Sequence, residues 1–131
     1  MARIKCSIVL TGIAFDPSDV SRAVSCAPTS SWKRGDVIEP GTRRRVENGW
    51  KLSVEEPGSL ALDKVLHKLL QVLEPSETIL KALIDRHGLD VEFACAVYVC
   101  DGVVPSMHLD LEMIRTIHSY KAELDIDLYS I

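Results

Sequence analysis

Residues 90–100 read DVEFACAVYVC and decide the fold. Apolar residues fall at every second position of this stretch, and the residues between them are small, aromatic or charged. A period of two predicts a β-strand with one apolar face and one thinly covered face. Asp101 and Gly102 follow directly and favour a tight hairpin turn, so we expect a return strand over residues 103–109. Pro105 predicts that this return strand lies at an edge of the sheet.

Three further strands are predicted from the same alternation, over residues 4–10, 50–54 and 124–128. Helices are predicted between them from apolar residues at helical spacing. Asp16 with Pro17 starts the first helix, Ser59 caps a long second helix that Pro75 interrupts and Gly88 ends, and Asp110 caps the last helix. The predicted inward residues are Val20, Ala23, Val24, Leu62, Val65, Leu66, Leu69, Leu70, Leu73, Ile79, Leu80, Leu83, Ile84, Leu111, Ile114, Ile117 and Lys121.

The predicted order of elements is β-α-β-α-β-β-α-β within one domain of residues 1–131. Because almost every strand alternates, we expect an α+β fold with a single, mostly antiparallel sheet and all helices on one face, in a ferredoxin-like layer. The opposite face would then be uncovered, facing either a partner or water. Its predicted residues are Lys5, Ser7, Lys51, Ser53, Glu55, Tyr98, Asp125, Asp127 and Tyr129.

Composition narrows the classes of function. The net charge of −4 argues against a general nucleic-acid binder, and no apolar run is long enough to span a membrane. The opening segment has no small-residue cleavage site, which argues against a signal peptide. The four cysteines form no CxxC pair, so we expect buried free thiols in a reducing cytoplasm rather than disulfides or a metal site.

The long irregular segment of residues 28–49 is the next candidate for function, since connections of this length are uncommon unless they are functional or mobile. It contains Trp32, flanked by Lys33 and Arg34, and the basic run of residues 43–45. Trp32 is either a lid that packs on the core or an anchor for a partner or ligand. Neighbouring residues of an extended segment point to opposite sides, so the three arginines form one patch only if the loop coils.

Catalytic patterns are absent from the sequence: it has no HExxH, no phosphate-binding glycine loop and no nucleophile elbow. His108, Asp110 and Glu112 alternate, but Asp110 is better explained as a helix cap. Asp125 and Asp127 would lie about 7 Å apart on one strand face, a spacing that suits either a cation or two solvated carboxylates. We therefore predict no enzymatic activity, no catalytic residues, no cofactor and no metal site.

Three segments stand out in the sequence: PTSSWKRGD at residues 28–36, GWKL at residues 49–52 and LDIDLYS at residues 124–130. With them the chain resembles, over nearly its whole length, the bacterial domain-of-unknown-function family 4279. Family members tend to keep Trp32, Gly35, Asp36 and Trp50, and this chain has all four. The resemblance implies a small, stand-alone bacterial protein, and a role in immunity against toxins has been suggested for similar proteins. It supplies no catalytic residues.

These observations predict a non-enzymatic, cytoplasmic protein-binding module, of which an immunity-type protein is one version. It would bind a protein partner or a second copy of itself through the open sheet face or an edge strand, and neither nucleic acid nor a membrane. The alternative is a small-molecule or ion sensor that uses a pocket under the Trp32 loop. The candidate binding residues are Trp32, Lys33, Arg34, Asp36, Trp50, Tyr98, Asp125, Asp127 and Tyr129.

Overall fold

A computed structural model describes residues 2–131 of the chain. These residues form one five-stranded sheet and four α-helices. The strands and helices follow in the order β1 (Arg3–Gly12), α1 (Pro17–Val24), β2 (Ser30–Trp32), β3 (Asn48–Pro57), α2 (Leu62–Leu73), α3 (Glu77–His87), β4 (Asp90–Val99), α4 (Leu111–Ser119) and β5 (Glu123–Ser130). A 3₁₀ turn, Glu74–Ser76, joins α2 to α3 at Pro75 and confirms the predicted interruption.

The strands lie in the order β2-β3-β1-β4-β5. β1 pairs antiparallel with both β3 and β4, β2 pairs antiparallel with β3, and β5 pairs parallel with β4. The first four strands and their helices thus form the split β-α-β arrangement of the ferredoxin-like fold, to which α4 and β5 add one more crossover. The predicted α+β class, with a mostly antiparallel sheet, is confirmed.

One apolar core lies between the sheet and the helices. The inward residues of β1, β3 and β4 meet the buried stripe of α2, as the alternation and the helical spacing predict. The thiols of Cys6 and Cys95 face each other across β1 and β4 in this core. The neighbouring Cys95 thiol, together with burial, raises the pKa of the Cys6 thiol, so it stays protonated. All four cysteines are free.

The helix ends follow the predicted signals at three of four places. Asp16 accepts a hydrogen bond from the Ser18 amide at 3.0 Å, Asp110 accepts one from Met113 at 2.8 Å, and Gly88 has the left-handed φ of 58°. Ser59 is not the cap of α2, which begins at Leu62 without a side-chain cap.

The predicted return strand over residues 103–109 is wrong, although the turn before it forms. Asp101 and Gly102 both have positive φ, and Val103 bonds back to Cys100 at 3.1 Å. The chain then leaves the sheet, because Pro105 has no amide hydrogen for a strand ladder and Ser106 exchanges two backbone bonds with the segment before α2. The place beside β4 is taken by β5 instead.

Other expectations about burial also fail near this side of the sheet. The alternation in residues 124–128 predicts a strand with one buried face, yet all eight residues of β5 are exposed, because it is an edge strand that α4 covers poorly. The helix residues predicted inward but found exposed are Ile79, Leu111 and Ile114, and Lys121, which follows the end of α4, is exposed as well. Met113, Ile117 and Tyr120 form the buried side of α4. Among residues 2–131, no helix is both long and apolar enough to cross a membrane.

Candidate functional site

The face of the sheet opposite the helices carries the residues that the alternation predicts. The strand register aligns them in rows: Lys51, Val9, Glu92 and Glu123 form one row, and Glu55, Lys5, Ala96 and Asp127 form another. Asp125, Asp127 and Tyr129 are exposed and Tyr98 is half-buried, so no second layer of residues 2–131 covers them. We call this surface the open face.

One end of the open face carries a stacked aromatic pair. The rings of Tyr98 and Tyr129 lie 5.1 Å apart at an interplanar angle of 20°, because the two residues are register partners on β4 and β5. The guanidinium of Arg3 lies 4.2 Å from the Tyr98 ring and also pairs with Glu55 at 3.4 Å. The pair is therefore held in place and presents a flat aromatic surface.

The middle of the open face is nearly flat because its side chains are small. Ser7, Ser53, Ala94 and Asp125 form one row, and the hydroxyl groups of Ser7 and Ser53 hydrogen-bond at 2.7 Å. Ser7 is only 3% exposed, so its side chain is shielded from solvent although it lies on the open face.

Trp32 lies at the other end of the open face, on β2. Its indole covers Gly49 so closely that a Cβ added at Gly49 would lie 2.0 Å from Cε2 of Trp32. The guanidinium of Arg45 lies 4.0 Å from the ring on the outer side. Trp32 thus packs on the sheet face rather than on the core, between a glycine and a cation.

The loop around Trp32 is an ordered hairpin rather than an irregular coil. Gly35 donates to Arg45 and Ile38 donates to Arg43, both at 2.8 Å, and Arg45 donates back to Asp36 at 2.7 Å. Arg44 donates a side-chain bond to the Gly35 carbonyl at 2.8 Å. The hairpin brings all three arginines to the rim of one hollow of about 480 Å³, together with Trp32, Ile38, Val46, Thr11 and Glu47.

The predicted polar residues of this loop have local structural contacts. The Asp36 carboxylate accepts a hydrogen bond from the Lys33 amide at 2.8 Å, and the Arg34 amide donates to the Asn48 side chain at 2.7 Å. The side chains of Lys33 and Arg34 are exposed. Asp36 therefore shapes the turn, while the two cations remain at its surface.

Trp50 does not belong to this surface. It is fully buried on the helix side of β3, and its indole N–H donates to the Ser21 hydroxyl of α1 at 3.0 Å. The strand alternation places Trp50 on the opposite face from Lys51, so its inclusion among the binding residues is corrected.

In the row of Val9, basic and acidic residues lie on opposite sides of β1, a feature that the sequence prediction missed. Burial, followed by the nearby Lys5 and Arg45, lowers the pKa of Lys51 on β3. Burial, followed by Asp125, Glu123 and Asp127, raises the pKa of Glu92 on β4. The alternation of residues 90–100 could have identified Glu92, whereas Arg45 reaches this face only through the hairpin.

Within the described part of the chain, residues 2–131, no three His, Cys, Asp or Glu side chains are grouped so that they could hold a metal ion. Asp110 is occupied as the cap of α4, as predicted, so His108, Asp110 and Glu112 do not share a strand face.

Comparison with known proteins gives a family and no function. No curated protein and no solved structure matches the chain. The model of one protein family, described as "Domain of unknown function (DUF4279)", matches residues 2–131. Since the match covers essentially the whole chain, this protein belongs to that family of unknown function.

Proposed function

We propose that this protein is a non-enzymatic, cytoplasmic binding module that takes an extended segment of a protein partner along the free edge of β5. The observation that carries the proposal is the exposure of all eight residues of that strand. One edge of β5 pairs with β4, and no strand of residues 2–131 pairs with the other edge. An unpaired edge offers a row of backbone donors and acceptors to an added strand.

The side chains of β5 define the chemistry of the partner. Leu124, Ile126 and Leu128 lie on the helix side and are 38%, 37% and 55% exposed. Glu123, Asp125 and Asp127 lie on the open face. A strand that alternates apolar with basic residues would complete both rows, because cross-strand neighbours interact directly.

Helix α4 extends the apolar side of this edge. Glu112 and Thr116 line the groove between α4 and α2. Ile114 lies on the opposite side of α4 by helical spacing, and it is 51% exposed. The apolar residues of an added strand would pack against Ile114 and the leucines of β5.

A peptide titration tests the proposal. The probe is a fluorescent peptide of alternating lysine and valine, and the control peptide has glutamate in place of lysine. We expect the basic peptide to bind, with an affinity that falls as salt is raised. Ile126→Lys should abolish binding, because an inward-pointing charge on an edge strand blocks strand addition.

A matched control separates the effect of a charge at the β5 edge from the effect of a new surface charge elsewhere. Ile79→Lys makes the same substitution at a residue that is 57% exposed on α3, and it should bind the peptide as the unaltered protein does. Equal binding by Ile126→Lys and Ile79→Lys, or equal binding of the acidic peptide, would overturn the edge as the binding site.

An immunity-type role requires that the native partner be a toxin, which co-purification from the host tests.

A small-molecule or ion sensor is the second candidate, and the hollow beside Trp32 favours it. None of the three arginines at its rim is within 4 Å of a carboxylate in residues 2–131. Guanidinium groups without an acidic partner suit a phosphate or carboxylate. Phosphate, citrate and nucleoside monophosphates should raise the melting temperature if this function holds, and a flat response to all of them would exclude these anions.

A further inference from the structure

In the row of Val9, the open face carries opposite charges on the two sides of its central strand, and Glu55, the carboxylate of β3 on this face, is paired with Arg3. Lys51 on β3 and Glu92 on β4 both flank Val9 of β1 in one row. Lys51 and Arg45 lie on the β2 side, whereas Glu92 and three further carboxylates lie on the β5 side. A surface of this kind is complementary to itself when one half is laid over the other.

We infer that the open face binds a second copy of this chain about a two-fold axis that runs along β1 and brings Glu92 of each copy opposite Lys51 of the other. The inference is independent of the proposed strand addition, because it uses the face of the sheet and leaves the edge of β5 free. Two such contacts form in each dimer, since a two-fold axis generates every contact twice.

Charge selects this axis over the other way of stacking the two faces. A two-fold axis that crosses the strands at right angles through the row of Val9 would place Lys51 over Lys51 and Glu92 over Glu92, which costs free energy. If that axis passed through the row of Ser7 instead, Lys51 would face Glu55, but Glu92 would face Ala96 and Glu123 would face Asp127, so the carboxylates of β4 and β5 would gain no basic partner. The axis along β1 exchanges the two sides while it keeps each row in register.

The floor of the open face allows the two sheets to reach packing distance. Sheets stack face to face at about 10 Å, and the side chains of Ser7, Ser53, Ala94 and Ala96 at the centre of the face are small enough for that spacing. Burial already disfavours the charged forms of both Lys51 and Glu92 in one copy. Contact with an opposite charge in the second copy would favour those charged forms again.

The area of the open face sets the expected affinity of the dimer. Four strands at about 4.8 Å spacing and eight residues at about 3.3 Å give a face of roughly 19 by 26 Å. Two copies would bury about 1,000 Å², which is near the lower limit for a specific interface. We therefore expect a dimer with a dissociation constant on the order of micromolar.

Charge reversal and mixing test the axis directly. Lys51→Glu places Glu opposite Glu92 at both contacts, and Glu92→Lys places Lys opposite Lys51 at both contacts. Each variant alone should dimerise at least about tenfold more weakly in sedimentation experiments. An equimolar mixture should form a heterodimer of about the unaltered strength, because each contact then joins one Lys and one Glu.

Two further variants distinguish this face from other surfaces. Ile126→Lys should leave the dimer unchanged, because Ile126 lies on the helix side of the edge strand. Lys5 lies on β1 and would face itself across the axis, so Lys5→Ala should strengthen the dimer. Circular dichroism and melting curves confirm that each variant is folded before it is mixed.

The outcomes are decisive in both directions. Loss of the dimer in each single variant and its recovery in the mixture supports the arrangement. A monomer at all accessible concentrations of the unaltered protein overturns it, and so does a dimer that either reversal leaves intact. Loss in the single variants without recovery in the mixture overturns the two-fold axis along β1.

Discussion

The two tryptophans lie on neighbouring strands and on opposite faces of the same sheet. Trp50 of β3 is fully buried and donates its N–H to Ser21. Trp32 of β2 is half-buried on the open face, between Gly49 and Arg45. Trp50 is therefore held on the covered face by apolar burial, whereas Trp32 is held on the open face by its fit against Gly49 and its contact with Arg45. A tryptophan should contribute differently to the stability of the protein on each face.

Removing Trp50 should have the largest effect. Trp50→Ala leaves a cavity in the core and should lower the free energy of unfolding by about 3–5 kcal/mol. Trp32→Ala should lower it by about 1 kcal/mol, because a half-buried ring shields less apolar surface from water than a fully buried one. Urea denaturation midpoints measure both values. Equal losses would show that the two faces do not differ in the way described.

Gly49→Ala tests the close approach on the open face. The new Cβ would meet the Trp32 indole at 2.0 Å, so the ring has to move, and we expect a loss of about 1–3 kcal/mol. The same substitution in the Trp32→Ala background should cost little, because the obstacle is gone. A loss of the same size in both backgrounds would mean that the glycine is needed for some reason other than the ring.

Ser21→Ala tests the one polar contact of the core tryptophan. It leaves the indole N–H of Trp50 without its partner and should cost about 1–2 kcal/mol. Trp50→Phe removes that donor, so in its background Ser21→Ala should be nearly neutral. A cost that persists with Phe at position 50 would assign the effect to the packing of α1 rather than to the hydrogen bond.

The contrast between the faces also explains what the sequence could predict. Period-two alternation in residues 90–100 and helical spacing in α2 define the core, because burial selects residue type strictly. β5 alternates equally well, yet both of its faces are exposed, since alternation shows which residues share a face and not whether anything covers them. The parallel pairing of β5 with β4 depends on where residues 103–109 go, and those residues leave the sheet through contacts with a distant segment.

The candidate site was only partly predictable for a related reason. Tyr98, Asp125, Asp127 and Tyr129 share the open face because strand period and register place them there. The position of Arg45 over Trp32 depends on backbone bonds within the hairpin, and no periodic pattern encodes such bonds. Trp50 does not share this face, and the strand alternation alone puts it in the core.

Replacing Glu92 should have the smallest effect, and its sign depends on pH. Burial and the neighbouring carboxylates hold the pKa of Glu92 above its usual range. A carboxyl group of this kind binds its proton more readily in the folded state, so its ionisation destabilises the fold above the raised pKa. Glu92→Gln should therefore be slightly more stable than the unaltered protein at neutral pH.

The stability difference should shrink as pH falls through the raised pKa of Glu92 and vanish below about 4, where the group is protonated in the unfolded chain as well. Denaturation midpoints across this pH range measure the difference. A low protein concentration keeps the protein monomeric, so that dimer formation does not affect the comparison. Glu39→Gln, on the exposed loop, is the control for the loss of one negative charge. If Glu92→Gln were instead less stable at neutral pH in the monomer, Glu92 would be stabilised within its own chain, and it would not need the lysine of a second copy.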